Sequence, residues 1–165
     1  MDALRWHSLR FPLTAVAPLN ISTAGQPTLE DSLYHVQSAH ARCCTLLQQA
    51  HQQGIIQLDS TQRSNWQLTP APIPLAECNW DFPDAATLAS QLQAVPKILQ
   101  QSATEVAPNL VCHHIEAISE TCHRWLDAFS LTPQTCSLLL VAKQTIFDLL
   151  ENLLTITAPE SIEGS

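Results

Sequence analysis

The sequence predicts an all-α fold, a helical bundle of about five to six helices. Apolar residues recur at spacings of three and four along several segments, while the strict alternation of a β-strand is almost absent. With 165 residues, the chain has the length of one ordinary domain and can bury a core without a disulfide or a metal. We therefore expect residues 1–165 to form a single domain.

Two helices are predicted in the first third of the chain. Residues 2–10 indicate a short helix, followed by an irregular connection at 18–27. Thr28 or Asp31 can cap a long helix with one apolar face, and Gly54 is placed to end it.

The segment from about 58 to 84 lacks helical periodicity. Prolines alternate there with polar residues and with Trp66 and Trp80. This composition is typical of an extended connection that lies over the surface or is partly loose. We expect a Pro-rich extended connection here.

Three further helical segments follow. Asp84 can cap a helix that Pro96 should kink or divide, and Pro108 can open the next helix. The Thr-Pro pair at 132–133 predicts the cap and first turn of the last helix. A frayed tail is expected after about residue 158.

The composition excludes several classes of protein. No apolar run approaches the roughly 20 residues that cross a bilayer, and the N-terminus lacks the basic start and apolar stretch of a signal peptide. The three glycines lie too far apart to form a glycine-rich phosphate loop. We expect a cytoplasmic protein that does not bind membranes.

The charge is acidic, with seven Lys and Arg against 15 Asp and Glu and a formal net charge of −8. A typical nucleic-acid binder offers phosphates many cationic contacts, so this balance argues against a conventional one.

The six cysteines and seven histidines raise the question of disulfides, metals and catalysis. Domain size and the absence of a secretion signal favour free buried thiols. The densest cluster, residues 112–114 with 122–123, would spread over about 15 Å of helix axis, too far for one zinc ion. No residues indicate an oxyanion site beside a Cys–His pair. We expect no metal, no cofactor, no catalytic residue and no small-molecule substrate.

Trp125 and Arg124 lie side by side on a predicted helix and allow two interpretations. They could form a platform on which a nucleobase stacks. Alternatively, Trp125 is a core aromatic of the bundle, which the helical periodicity favours.

Four short segments, spread from residue 2 to about 162, match motifs of a known family. Residues 34–42 (YHVQSAHAR) are similar to the stretch Y-V-Q-Y-A-H-A-R, and residues 2–5 match the tetrapeptide D-A-L-R. Residues 92–108 are similar to the helix pair L-x-x-x-P-x-x-x-x-x-A-x-x-x-x-P, and residues 156–160 to the end of G-I-x-A-P-E. In this order and spacing, the segments resemble the DALR anticodon-binding domain of arginyl-tRNA synthetases.

The resemblance implies a free-standing DALR-like helical domain that binds the anticodon arm of tRNA. The motif residues it assigns to the structure are Asp2, Arg5, Gln37, His40 and Arg42, of which the last two would brace the junction of helices. By the same analogy, Trp125 would stack on a nucleobase. The RNA contacts to phosphate or base edges would come from His123, Arg124 and Lys143.

The resemblance does not extend to catalysis. The synthetase motifs H-I-G-H and K-M-S-K are absent from the sequence, so we expect a non-enzyme.

Two functions stay open at this point. The first is a non-catalytic module that binds RNA, with tRNA as the ligand. The second is a repurposed subunit or adaptor that binds protein within a larger enzyme or ribonucleoprotein assembly. The second is favoured by the low charge density and by the Pro/Trp-rich segment at 66–83, which could dock in an aromatic-lined groove. It is also favoured by residues 122–126, where the family's aromatics are reduced to Trp125.

Overall fold

A computed structural model of the chain is built from α-helices around a shared apolar core. It describes residues 1–12, 32–78 and 80–162. The helices are α1 (Asp2–Arg10), α2 (Ser32–Gln52), α3 (Pro83–Glu105), α4 (Asn109–Leu126) and α5 (Pro133–Phe147). The smaller elements are strands β1 (Gln57–Asp59) and β2 (Gln67–Thr69), a 3₁₀ turn at Leu75–Glu77, and a π-helical turn at Asp148–Leu153 that extends α5. The prediction of an all-α bundle with about five to six helices is confirmed.

Local sequence signals set the end of α2 and the start of α5. Helix α1 has the predicted bounds, and α2 ends just before Gly54, whose φ of +73° is left-handed and suits glycine. Helix α5 begins after Thr132, which accepts a hydrogen bond from the Thr135 amide in a capping box. The predicted connection at 18–27 and the caps Thr28 and Asp31 lie outside the described residues.

Helix α3 runs without interruption through Pro96. Of the two outcomes predicted for Pro96, a kink or a division of the helix, the division is therefore wrong. Pro96 lies on an exposed part of α3, and α3 packs along α4. This packing outweighs the one backbone hydrogen bond that a proline removes. The helix ends at Val106, which adopts a left-handed φ of +52°.

The segment at 58–84 is more ordered than an extended connection. Strands β1 and β2 pair antiparallel, with Leu58 opposite Leu68. Trp66 and Leu68 are buried in the core. Each strand has only three residues, too few for an alternating pattern to stand out in the sequence, so this small sheet was not predicted.

The core is formed where α2 meets α4 and α5, with α3 packed on α4. Its fully buried side chains include Leu47, Ile115, Ile118, Leu138, Leu139 and Ile146. All six cysteines are free, and five of them are buried, which confirms the expectation of free buried thiols. No helix among the described residues is long and apolar enough to cross a membrane.

The chain after α5 folds back on the bundle. Ile156 and Ala158 are buried, and Glu160 lies 3.4 Å from the guanidinium of Arg63. The chain is therefore packed as far as residue 160, slightly beyond the point where the sequence predicts fraying.

Candidate nucleic-acid interface

The motif residues near the N-terminus and on α2 hold one segment, residues 155–159. The Asp2 carboxylate accepts a hydrogen bond from the Thr157 amide at 3.0 Å, and Gln37 Nε2 donates to the Thr157 carbonyl at 2.7 Å. Arg5 donates to the carbonyl of Thr155. His40 Nδ1 donates to the carbonyl of Pro159 at 2.7 Å. We call Asp2, Arg5, Gln37 and His40 the C-terminal clamp, because they join three separate sequence motifs into one hydrogen-bonded unit.

The clamp perturbs the titration of two of its members. Hydrogen bonds from Thr157 hold the pKa of Asp2 below its ordinary value. His40 is fully buried, and burial lowers its pKa from 6.5 to about 4 despite the opposing hydrogen bond to Pro159. His40 is therefore a neutral side chain that donates from Nδ1 near neutral pH.

Arg63 adds a contact to this segment that sequence reasoning missed. Its guanidinium lies 2.9 Å from Glu151 and also donates to the Ala158 carbonyl. It comes from the turn between β1 and β2, which the sequence did not predict. Its role could not be found without that turn.

Arg42 connects α2 to α4. Its Nη1 donates to His123 Nδ1 at 2.8 Å, and its Nη2 pairs with Asp127 at 2.9 Å. Because arginine has no acceptor, His123 Nδ1 carries a lone pair, and its Nε2 donates to the His35 carbonyl at 3.0 Å. Burial lowers the pKa of His123, which keeps it neutral in this arrangement. We call Arg42, His123 and Asp127 the Arg42 bridge.

Arg124 lies on the surface of α4 close to the Arg42 bridge. Its side chain is 49% exposed, and its guanidinium pairs with Asp84 at 3.3 Å and Glu120 at 3.0 Å. The side chains of Asp84 and Glu120 are themselves 42% and 69% exposed. Arg124 is therefore reachable from solvent, although its charge is already balanced by two neighbours.

Trp125 cannot act as the predicted stacking platform in this fold. Its side chain is only 2% exposed and its ring contacts Phe129, with 5.2 Å between the ring centroids. The position faces the core because it continues the apolar stripe of α4 through Ile118 and Cys122. Trp125 lies in the core of the bundle, as the alternative interpretation predicted.

Lys143 is also buried, which contradicts its predicted contact with RNA. Its Nζ donates to the Arg63 carbonyl at 2.6 Å and lies 4.5 Å from the centre of the Trp66 ring and 5.0 Å from that of Phe147. Burial lowers its pKa. Lys143 instead attaches the turn between β1 and β2 to α5.

The seven cations do not form a broad basic surface. Four arginines, at positions 10, 42, 63 and 124, are in ion pairs with carboxylates. Arg5 belongs to the clamp and Lys143 is buried. Lys97 is exposed and has no ion pair with another described residue. A polyanion would therefore meet a local patch with few cations and not a broad basic surface.

A shallow depression of about 200 Å³ opens beside the Arg42 bridge. Arg42, Thr45, Leu46 and Leu126 line it. Its lining is mainly apolar and includes the side chain of Arg42. Thr45 and Leu46 carried no signal in the sequence, because they read as ordinary helix positions.

The described part of the chain brings no three His, Cys, Asp or Glu side chains together in an arrangement that could hold a metal ion.

Comparison with known proteins identifies a matching domain family and several relatives. The family described as DALR anticodon binding domain matches residues 36–162. The arginine–tRNA ligase of Synechococcus sp. is 26% identical over 98% of this chain and 27% of its own length. That of Renibacterium salmoninarum is 27% identical over 80% of this chain and 21% of its own length. The chain thus spans about a quarter of the length of these relatives.

A solved structure shows the same fold. The arginyl-tRNA synthetase of Thermus thermophilus superimposes with a TM-score of 0.72 at 19% identity, over 98% of this chain and 26% of that one.

Proposed function

Because the chain belongs to the DALR anticodon binding domain family, we propose that it is a non-catalytic, cytoplasmic module that binds tRNA through the anticodon arm. The observation that carries this proposal is the family match over residues 36–162. The C-terminal clamp supports it, since it uses the matching motif residues to build the fold. The alternative of a protein adaptor has no support in the comparisons.

The contact surface we propose is the exposed face of α4 with the adjoining part of α2. It contains Arg124, His123 and Arg42, and the depression beside the Arg42 bridge opens on it. Exposed ion pairs contribute only about 0–1 kcal/mol. A tRNA phosphate can therefore replace Asp84 or Glu120 at Arg124 with little loss of stability. Trp125 and Lys143 are not part of this surface.

The first test measures binding of the whole chain to a purified tRNA at about 50 mM salt, where phosphate contacts are strongest. An anticodon stem-loop and an acceptor-stem minihelix of the same tRNA serve as competitors. We expect the anticodon stem-loop alone to compete. Absence of tRNA binding at this salt concentration would overturn the proposal, and competition by the acceptor minihelix alone would move the contact to the other arm.

The residue-level test is Arg124→Ala. Removing one phosphate contact should weaken tRNA binding about 3- to 10-fold and lower the salt dependence by about one unit of slope. Lys97→Ala is the matched control, because it removes one exposed positive charge about 20 Å along α3 from Asp84, the partner of Arg124. Equal losses in the two variants would show a general charge effect and argue against the proposed surface.

A further inference from the structure

Two buried cysteines face each other where α2 crosses α4. The Sγ atoms of Cys43 and Cys122 are 3.6 Å apart, and both side chains are fully buried. No other pair of sulfur atoms among the described residues lies within hydrogen-bonding distance. A disulfide needs about 2.05 Å between the sulfurs, so the two sulfurs would have to approach by a further ~1.5 Å, a shift that two side chains can share.

The surroundings of the pair favour closure. Each cysteine is next in sequence to a member of the Arg42 bridge, and Arg42 Nη1 already donates to His123 Nδ1 at 2.8 Å. The bridge therefore joins α2 to α4 one position away in sequence from each of the two cysteines. Cys44, the sequence neighbour of Cys43, instead has its sulfur 3.9 Å from His40 Nε2 on its own helix.

We propose that Cys43 and Cys122 are a disulfide-forming pair, oxidised by small-molecule disulfides such as oxidised glutathione. The thiolate of one cysteine attacks a sulfur of the small disulfide, forming a mixed disulfide and releasing one thiol. The thiolate of the second cysteine then attacks the protein sulfur of the mixed disulfide and releases the second thiol. The protein loses two protons and two electrons, and the small disulfide is reduced to two thiols.

The same burial makes the reaction slow. The hydrogen bond with Cys122 and burial raise the pKa of Cys43, so the attacking thiolate is scarce at neutral pH. The first attack also requires α2 and α4 to separate locally. Oxidation should therefore need hours to reach equilibrium, and its rate should increase as the pH rises.

The expected consequence is a covalent lock between α2 and α4. The two residues are 79 positions apart, so the bond would restrain a long loop of the unfolded chain. It would also fix the two helices beside the Arg42 bridge. The proposal of this disulfide does not rest on the proposed tRNA binding.

The test equilibrates the full, folded chain in glutathione buffers of graded potential, approached from the reduced and the oxidised side. We expect the number of free thiols to fall from six to four, with the loss of two hydrogen masses and a higher midpoint of urea denaturation. Mixed disulfides with glutathione as the only products would overturn the proposal. So would retention of all six thiols in the most oxidising buffer.

Variants assign the bond. Trypsin leaves Cys43 with Cys44, and Cys122 with Cys112, in single peptides, so the double variant Cys44→Ala/Cys112→Ala is used for mapping. It should still form one cross-link between the two peptides, whereas Cys43→Ala should form none and Cys136→Ala should behave like the parent chain. Loss of the cross-link in the double variant would show that another pair reacts. The double variant keeps the test decisive if Cys43→Ala does not fold.

Discussion

At the scale of single residues, burial decides what the motif side chains do. His40 and Lys143 are both polar and both fully buried, and each donates a hydrogen bond to a backbone carbonyl, of Pro159 and Arg63 respectively. A buried polar group without such a partner would cost about 1–3 kcal/mol. These two side chains therefore stabilise distant segments of the chain. The proposed contact with RNA is assigned to other side chains that are more exposed.

His40 makes the stability of the protein dependent on pH. Its pKa falls from 6.5 to about 4 on folding, so between these values the unfolded chain binds a proton that the folded chain does not. Unfolding free energy should therefore be highest above pH 6.5 and should decrease as the pH falls to about 4, by about 3 kcal/mol in total.

Urea denaturation from pH 4 to 7.5 measures this decrease. His40→Gln keeps a donor but does not titrate, so its stability should vary less with pH in this range. The slope of unfolding free energy against pH should not vanish in this variant, because the pKa of His123 is lowered too. His113→Gln, at an exposed position, is the control and should keep the full slope. An unchanged slope in His40→Gln would contradict the assignment.

At the scale of secondary structure, helix ends with a local chemical cause were predictable. The end of α2 before Gly54 and the start of α5 after Thr132 follow from a glycine and a capping residue, and α1 ends two residues before Pro12. The continuity of α3 through Pro96 and the small β1–β2 sheet were not predictable. The continuity of α3 depends on its packing against α4, and the small sheet depends on the burial of Trp66. Both involve contacts between residues far apart in the sequence.

The end of α3 offers a stabilising substitution. Val106 is in the left-handed conformation at φ +52° and is 68% exposed. A side chain with a Cβ is strained in this conformation by about 1–2 kcal/mol, while glycine is not. Val106→Gly should therefore raise the free energy of unfolding by about 1 kcal/mol, measured by urea denaturation.

The matched control is Val106→Ala, which shortens the side chain but keeps the Cβ. Its free energy of unfolding should rise clearly less than that of the glycine variant. If the two variants were equally stable, removal of an exposed apolar side chain and not relief of backbone strain would be the cause.

At the scale of the whole molecule, the acidic charge limits how RNA can be bound. The net charge is −8, and the proposed surface presents Arg42 and Arg124 as its cations, both already paired with carboxylates. The seven cations that first argued against nucleic acid thus argue for a small contact. The specificity of such a contact would have to come from shape and base edges more than from phosphates.

The salt dependence of tRNA binding measures the size of this contact. Each neutralised phosphate contributes about 0.7 to 0.9 to the slope of log K against log salt. With two or three phosphate contacts, we expect a slope between about −1 and −3 from 50 to 200 mM salt. A slope of about −5 or steeper would place the contact on a wider surface than the α2–α4 face.

The sequence by itself determined the helical class, the bounds of α1, the end of α2, the start of α5 and the family motifs, because these depend on local chemistry and periodicity. The tertiary structure decided which motif residues meet and which cations stay accessible. Asp2, Gln37 and His40 become one clamp because the chain after α5 returns to α1 and α2. Trp125 and Lys143 were assigned to RNA by analogy, yet packing buries them. Burial results from contacts between distant segments, which no single stretch of sequence encodes.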